Sequence, residues 1–242
     1  MNLVIDRGNS STKIAVFDGC RLVHQAVIDL FEPSAFIRFI TTYAVENIIY
    51  CSVVPTEQGL IDFFKNNNLR FVELTNRIAI PISLHYDTPE TLGRDRIAAL
   101  VGAWSLQPNK AALIIDMGSC ITYDFITDEG VFEGGNIAPG FAMRLKAMHH
   151  FTGQLPYVEV EEPVAYLGKN TNQALLGGAY WGILHEIDGV ISQLKLKYEE
   201  FSIFLTGGSA KHFEKQIKNC TFAEPNLVLI GLNEILIYND IH

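Results

Sequence analysis

The sequence predicts an α/β fold that occurs twice in one chain. Three observations carry this. The run Leu3-Val4-Ile5-Asp6-Arg7-Gly8 returns 110 residues later as Leu113-Ile114-Ile115-Asp116-Met117-Gly118, and at the same offset Thr12 matches Thr122 and Asp18 matches Asp128. Each copy is a short β-rich apolar run, then D-x-G, then a strand that ends in an Asp-containing turn. Each half closes on a buried strand followed by a helical pattern, the alternation expected of α/β domains. The 242 residues are 48% hydrophobic and 19% charged, which suits a packed core and argues against disorder.

The elements follow in order. Val16-Phe17-Asp18-Gly19-Cys20 reads as strand, Asp-Gly turn and strand, the signal of a β-hairpin. Asn47 to Val54 reads as a buried strand, and beyond Pro55 residues 59–66 read as a helix. The polar segment from Tyr86 to Arg96 leads into a buried helix over Ile97 to Trp104. A polar turn, Leu106-Gln107-Pro108-Asn109-Lys110, marks the seam, so the domains are expected at 1–108 and 109–242. In the second half, Ile126 to Gly130 repeats the hairpin signal and Phe132 to Gly140 reads as a glycine-rich loop. A helix is predicted over Gln173 to His185, where Gly177, Gly178 and Gly182 suit close packing. Ser202 to Thr206 is a buried strand ending in Gly207-Gly208, with a helix predicted over 210–218.

Charge and cysteine usage narrow the function. Lys plus Arg is 18 and Asp plus Glu is 27, a net charge of −9. Phosphate neutralisation favours basic proteins, so nucleic acid is not expected as a partner. An anionic small ligand would need local positive groups or backbone N–H donors. Cys20, Cys51, Cys120 and Cys220 are far apart and form no C-x-x-C pair, which fits a reduced, cytoplasmic chain. The N-terminal residues lack the basic region of a signal peptide, and no apolar run approaches the roughly 20 residues needed to span a bilayer, so no membrane association is expected.

The D-x-G loops have chemical uses. Gly8 allows a tight turn, Asn9, Ser10, Ser11 and Thr12 offer donors to phosphate oxygens, and Lys13 adds a positive charge. Asp6 suits Mg²⁺, which binds through one or two carboxylates together with phosphates. A plain hairpin with turn-loving residues explains Asp6 to Lys13 equally well. Asp116 to Thr122 would be a second jaw of a phosphate clamp. The single Gly-Lys pair, Gly168-Lys169, is followed by Asn170, so there is no P-loop. Asp95, near a helix start, is either a helix-terminal acid or a general base, and Arg94 and Arg96 beside it suit a carboxylate or phosphate. Thr171 is either a helix cap or a substrate contact.

Taken together, six motifs occur in a fixed order: Asp6 to Lys13, Gly93 to Arg96, Asp116 to Asp124, Gly134 to Gly140, Asn170-Thr171 and Thr206 to Gly208. In this the chain resembles the type III pantothenate kinases along nearly its whole length. The resemblance implies duplicated ribonuclease-H-like (actin-like ATPase) domains with a nucleotide cleft between them. It implies ATP-dependent phosphorylation of pantothenate to 4'-phosphopantothenate, with Asp95 as general base. It further implies pantothenate contacts from Gly93, Arg94, Asp95 and Arg96, with Tyr86 and Thr171. ATP would be met by Asp6, Arg7, Gly8, Asn9, Ser10, Ser11, Thr12, Lys13 and Ser119. Asp116 would hold a monovalent cation, K⁺ or NH₄⁺, and Asp6 would face Mg²⁺; the family works as a homodimer. Arg7, Ser10, Arg94 and Ser119-Cys120 depart from the family pattern. The competing expectation is an ATPase or regulatory protein of the same fold without pantothenate kinase activity.

Overall fold

The computed structural model describes residues 1–8, 11–28, 33–54, 58–66, 69–75, 77–161, 164–217 and 221–241. Two compact units emerge: Met1–Lys110 with Asp124–Gly134 and Asn226–His242, and Ala111–Tyr123 with Gly135–Pro225.

The first sheet has the order β3-β2-β1-β4-β5. Its strands are β1 (Asn2–Arg7), β2 (Thr12–Asp18), β3 (Arg21–Ile28), β4 (Asn47–Ser52) and β5 (Arg70–Glu73). β1 pairs antiparallel with β2 and parallel with β4. Leu3, Val4 and Ile5 in the central strand are fully buried, because both faces of the sheet are covered. On one face Leu3, Ile5, Val16, Ile48 and Tyr50 join Phe36 of α1 (Pro33–Thr42) and Phe64 of α2 (Gln58–Asn66) in one apolar cluster. The other face receives α6 (Leu227–Ile241), which packs on β1 and β4. The β2–β3 hairpin turns at Gly19, whose φ of 59° is costly for a residue with a side chain.

Helix α3 (Arg94–Leu106) lies against α6 in the same unit. Their backbones touch: a Cβ on Gly231 would overlap the carbonyl of Ala98, and one on Gly102 would lie 3.2 Å from the Gly231 nitrogen. Buried amides fix the register of α6 on the sheet. Asn2 donates to Asn233 at 3.0 Å, and Asn233 donates to the Gly19 carbonyl at 2.9 Å.

The second sheet has the order β11-β10-β7-β8-β9-β6. Its strands are β6 (Ser83–Leu84), β7 (Ala112–Met117), β8 (Cys120–Ile126), β9 (Val131–Pro139), β10 (Ser202–Thr206) and β11 (Phe222–Ala223). Read from the first strand of each half, the two sheets share one order: third, second, first, fourth, fifth. β10 runs parallel to β7 as β4 does to β1. The repeat seen in the sequence is therefore a repeat of topology. Helices α4 (Phe141–His150) and α5 (Thr171–Lys195) complete the second half.

Three expectations change. The segment Phe132 to Gly140 is not a loop but most of β9, with Gly134 at φ 119°, a backbone conformation that residues with side chains rarely adopt. The helix predicted over 210–218 shrinks to one 3-10 turn, Ala210–His212. Ser209 gives it no side-chain cap, and the hydroxyl of Tyr180 takes the His212 carbonyl at 2.9 Å while its ring stacks on Phe213. The helix predicted to end at His185 continues to Lys195, because Ile187 and Ile191 extend the buried stripe of Ile183 at i+4 spacing.

Candidate active site

In the first unit, Asp6 lies one residue before the end of β1, opposite Lys13 of β2 and Cys51 of β4. Beyond it the chain turns, with the Gly8 N–H donating to the Ser11 carbonyl at 3.0 Å. Arg7 stands opposite Thr12 and Ser52 in the register. Thr12 is buried, and Arg7, Gly8, Ser11 and Lys13 are half-buried. Asn9 and Ser10 lie outside the described residues.

The Gly93–Arg96 segment opens α3. Gly93 is the cap residue and has no side chain to give; a Cβ there would come 2.6 Å from Asp95 Oδ1. That oxygen instead accepts the backbone N–H of Arg96 at 2.9 Å, so the helix start fixes the Asp95 carboxylate. A side chain at position 93 would displace the Asp95 carboxylate from this position. Asp6, Asp95 and Arg94 all act on the buried Cys51 thiol. Burial is the main reason its pKa lies well above the ordinary 9.0; Asp6 and then Asp95 raise it further, and Arg94 opposes them. Ser52 and Val53, which follow Cys51 at the end of β4, line one cavity with Gly93 and Arg94, so the end of β4 beside Asp6 lies close to the Gly93–Arg96 segment.

Arg96 is engaged internally. Its Nε reaches both oxygens of Asp124 at 3.0 and 3.1 Å, and its Nη2 reaches Oδ1 at 2.5 Å. Only 6% of the Arg96 side chain and none of Asp124 is exposed. The guanidinium also lies against the rings of Tyr86 and Phe132, 6.0 and 5.8 Å from their centroids. Burial works against its charge, but the hydrogen bonds it donates to Asp124 and the Asp124 charge, then Tyr86, outweigh that and raise its pKa. Arg96 thus ties the start of α3 to β8 and to Tyr86.

In the second unit, Asp116 lies one residue before the end of β7, opposite Thr206. Gly118 N–H donates to the Cys120 carbonyl at 2.9 Å, which turns the chain and leaves Ser119 exposed. Two glycines pack against this turn. A Cβ on Gly140 would lie 2.6 Å from the carbonyl oxygens of both Gly118 and Ser119. Gly207, at φ 91°, would place a Cβ 2.6 Å from the Met117 backbone and against Asp116 Oδ1. Ser209 N–H and Gly140 N–H close the cradle on the carbonyls of Met117 and Ser119, at 2.9 and 3.1 Å. Arg144 holds the Pro139 carbonyl at 2.8 Å and Glu186 at 2.7 Å, and Glu186 accepts the Tyr123 hydroxyl at 2.7 Å. Burial, then that hydrogen bond, raises the Tyr123 pKa, so the phenol stays protonated.

At the start of α5, the cap is Asn170, whose side chain accepts the Gln173 N–H at 2.9 Å, while Gln173 accepts the Lys169 N–H at 2.9 Å. Thr171 is not the cap, and it is exposed. Sequence reasoning assigned no role to Asp124, Arg144 or Glu186. A signal existed for Asp124, an acid inside the apolar run Tyr123-Asp124-Phe125-Ile126. Arg144 and Glu186 lie on exposed-looking helix faces and gave none.

Among the described residues no three His, Cys, Asp or Glu side chains gather into a metal cage. The carboxylates at the strand ends are single, which fits a cation completed by phosphate oxygens and water. No described helix is long and apolar enough to cross a membrane.

The family model for type III pantothenate kinase matches residues 2–193. The chain belongs to the type III pantothenate kinases. A type III pantothenate kinase of Azobacteroides pseudotrichonymphae is 40% identical over 98% of this chain and 97% of its own length. Among solved structures, a Campylobacter jejuni protein described as a Baf family transcriptional activator superposes with a TM-score of 0.64 at 23% identity, covering 99% of this chain and all of the other. A ROK hexokinase of Thermus thermophilus does so with 0.52 at 13% identity and 99% coverage of each. These likenesses carry the fold, which is the ribonuclease-H-like fold of actin-like ATPases and ROK kinases. The enzyme phosphorylates pantothenate in coenzyme A biosynthesis, with ATP as phosphoryl donor.

Proposed function

We propose that Asp95 is the general base of this phosphoryl transfer. The observation that supports it is one Asp95 oxygen held by the start of α3, in a segment whose Gly93 and Arg94 share a cavity with Ser52 and Val53 at the end of β4, the strand that pairs with Asp6. Asp95 takes the proton of the primary hydroxyl of pantothenate as that oxygen attacks the γ-phosphorus and ADP leaves. Gly93, Arg94 and Tyr86 line the acceptor, Arg96 positions Tyr86 and Asp95, and the exposed Thr171 hydroxyl supplies a further contact. Asp6, Arg7, Gly8, Asn9, Ser10, Ser11, Thr12 and Lys13 receive the phosphates of ATP, and Ser119 is a further ATP contact. Asp6 holds Mg²⁺ and Asp116 holds K⁺ or NH₄⁺. These cations offset charge on the phosphates when bound. The enzyme works as a homodimer in the cytoplasm, a setting that suits the free thiols of Cys20, Cys51 and Cys120.

Asp95→Asn tests the base. Proton transfer by a positioned side chain is worth roughly 10²- to 10⁴-fold, so kcat falls by that factor. Pantothenate binding, read by calorimetry, changes only a few-fold. Near-native turnover by the variant would show that the base is elsewhere.

A further inference from the structure

The turn that carries Ser119 joins β7 to β8, and the end of β9 and the start of α4 lie against it. Gly140, the residue between β9 and α4, donates its N–H to the Ser119 carbonyl at 3.1 Å. Pro139, which ends β9, has no N–H and offers only its carbonyl. Arg144 takes that carbonyl: its Nε reaches back five residues along the chain, at 2.8 Å. Its backbone N–H meanwhile donates to the Gly140 carbonyl at 2.9 Å. One arginine thus holds both residues of the junction that touches the Ser119 turn.

The guanidinium is itself held from behind. Its Nη2 donates to Glu186 Oε2 of α5 at 2.7 Å. The other oxygen of Glu186 accepts the hydroxyl of Tyr123, a buried residue of β8, at 2.7 Å. The contacts therefore close a circuit: from Ser119 to Gly140 and Pro139, on to Arg144, Glu186 and Tyr123, and back along β8 to the turn. Gly182, one helical turn before Glu186 on α5, leaves room for the guanidinium, since a Cβ there would stand 3.7 Å from Arg144 Nη1. A fifth of the Arg144 side chain and a third of the Glu186 side chain are exposed. The seating of α4 on α5 has other support, because Phe141 packs against Tyr180 and Phe213. What the circuit adds is the aim of one turn.

We propose that Arg144, braced by Glu186 and Tyr123, is a positioning residue for ATP: through Pro139 and Gly140 it sets the place of the Ser119 turn. The proposal rests on the reading of Ser119 as an ATP contact. The planar fork of arginine suits the task, since it serves the Pro139 carbonyl and the Glu186 carboxylate at once in a fixed geometry. A lysine ammonium on its flexible stem can meet one of them well, not both.

Steady-state assays of the whole enzyme vary ATP and pantothenate in turn, and calorimetry reads the binding of ADP with Mg²⁺. Arg144→Ala raises KM for ATP and weakens ADP binding by roughly tenfold, the usual loss for a hydrogen bond to a charged group, while KM for pantothenate stays within about twofold. Arg144→Lys recovers part of the nucleotide affinity. Glu186→Ala shifts it in the same direction as Arg144→Ala by a smaller factor. The double alanine variant loses no more than Arg144→Ala alone, because both residues act in one circuit. Ser119→Ala separates the brace from its premise. Unchanged ADP binding in Arg144→Ala, with weakened binding in Ser119→Ala, would overturn the brace and leave Ser119 in place. Unchanged ADP binding in both would overturn the reading of Ser119 itself. Equal rises in KM for ATP and for pantothenate would make Arg144 a purely structural residue and overturn its positioning role.

Discussion

The Asp124–Arg96 pair makes a quantitative demand. Asp124 is fully buried, and Arg96 is 6% exposed with three short contacts to it. Asp124→Ala leaves a guanidinium out of water with its main partner gone. Breaking a buried pair from one side costs about 3–5 kcal/mol, against a total stability of about 5–15 kcal/mol for a typical domain. Replacing both partners removes the stranded charge, so Asp124→Ala combined with Arg96→Met recovers much of the loss. Urea denaturation of the wild type, both single variants and the double variant forms the cycle. The expected result is a single-variant loss of about 3 kcal/mol or more and a strongly non-additive double variant. A loss below about 1 kcal/mol for Asp124→Ala would refute the reasoning, since that is the value of an exposed pair. Because the same arginine's backbone N–H holds Asp95, kcat/KM for pantothenate falls in the single variant even where it remains folded.

Further outcomes follow from other contacts. Gly140→Ala pushes against the carbonyls of Gly118 and Ser119, which displaces the turn carrying Ser119; steady-state kinetics show KM for ATP raised by about tenfold or more. Gly231→Ala drives a methyl group into the Ala98 carbonyl at the α3–α6 contact, and denaturation shows a loss of about 1–3 kcal/mol or more. On the proposal that Asp116 holds a monovalent cation, a potassium titration stimulates the wild type and leaves Asp116→Asn flat. Cys51 titrates well above its ordinary 9.0 when folded, so the folded state retains a proton that the unfolded chain releases. Its contribution is complete below about pH 9 and is lost as pH rises beyond that. Denaturation at increasing alkaline pH shows stability declining, with a shallower slope in Cys51→Ala.

Much of the fold was legible because it is local and repeated. The paired D-x-G runs mark the ends of β1 and β7, Asp18-Gly19 marks a hairpin, and the apolar runs at 47–52 and 202–206 mark the central parallel strands. The same local cues misled where tertiary pairing decides. Gly134-Gly135 reads as loop, yet β9 is held in a sheet between β8 and β6. The segment 210–218 after Gly207-Gly208 reads as helix, yet the hydroxyl and ring of Tyr180 hold its start in a single turn. Nothing near Leu227 announces that α6 packs on β1, because the contact that sets it, Asn2 with Asn233, joins residues 231 positions apart. At the site, residue type told which groups could do chemistry but not which were already engaged. Arg94 and Arg96 look equivalent in sequence; the structure gives Arg96 a buried carboxylate and Arg94 only a loose one.

The central claim is tested most directly by following ADP and the organic product together, with ATP in excess and pantothenate varied. The account predicts that ADP appears only with pantothenate, one for one with a product phosphorylated at its primary hydroxyl. ADP formation that proceeds at the same rate without pantothenate, with no phosphorylated product, would contradict it and describe an ATPase of the same fold instead.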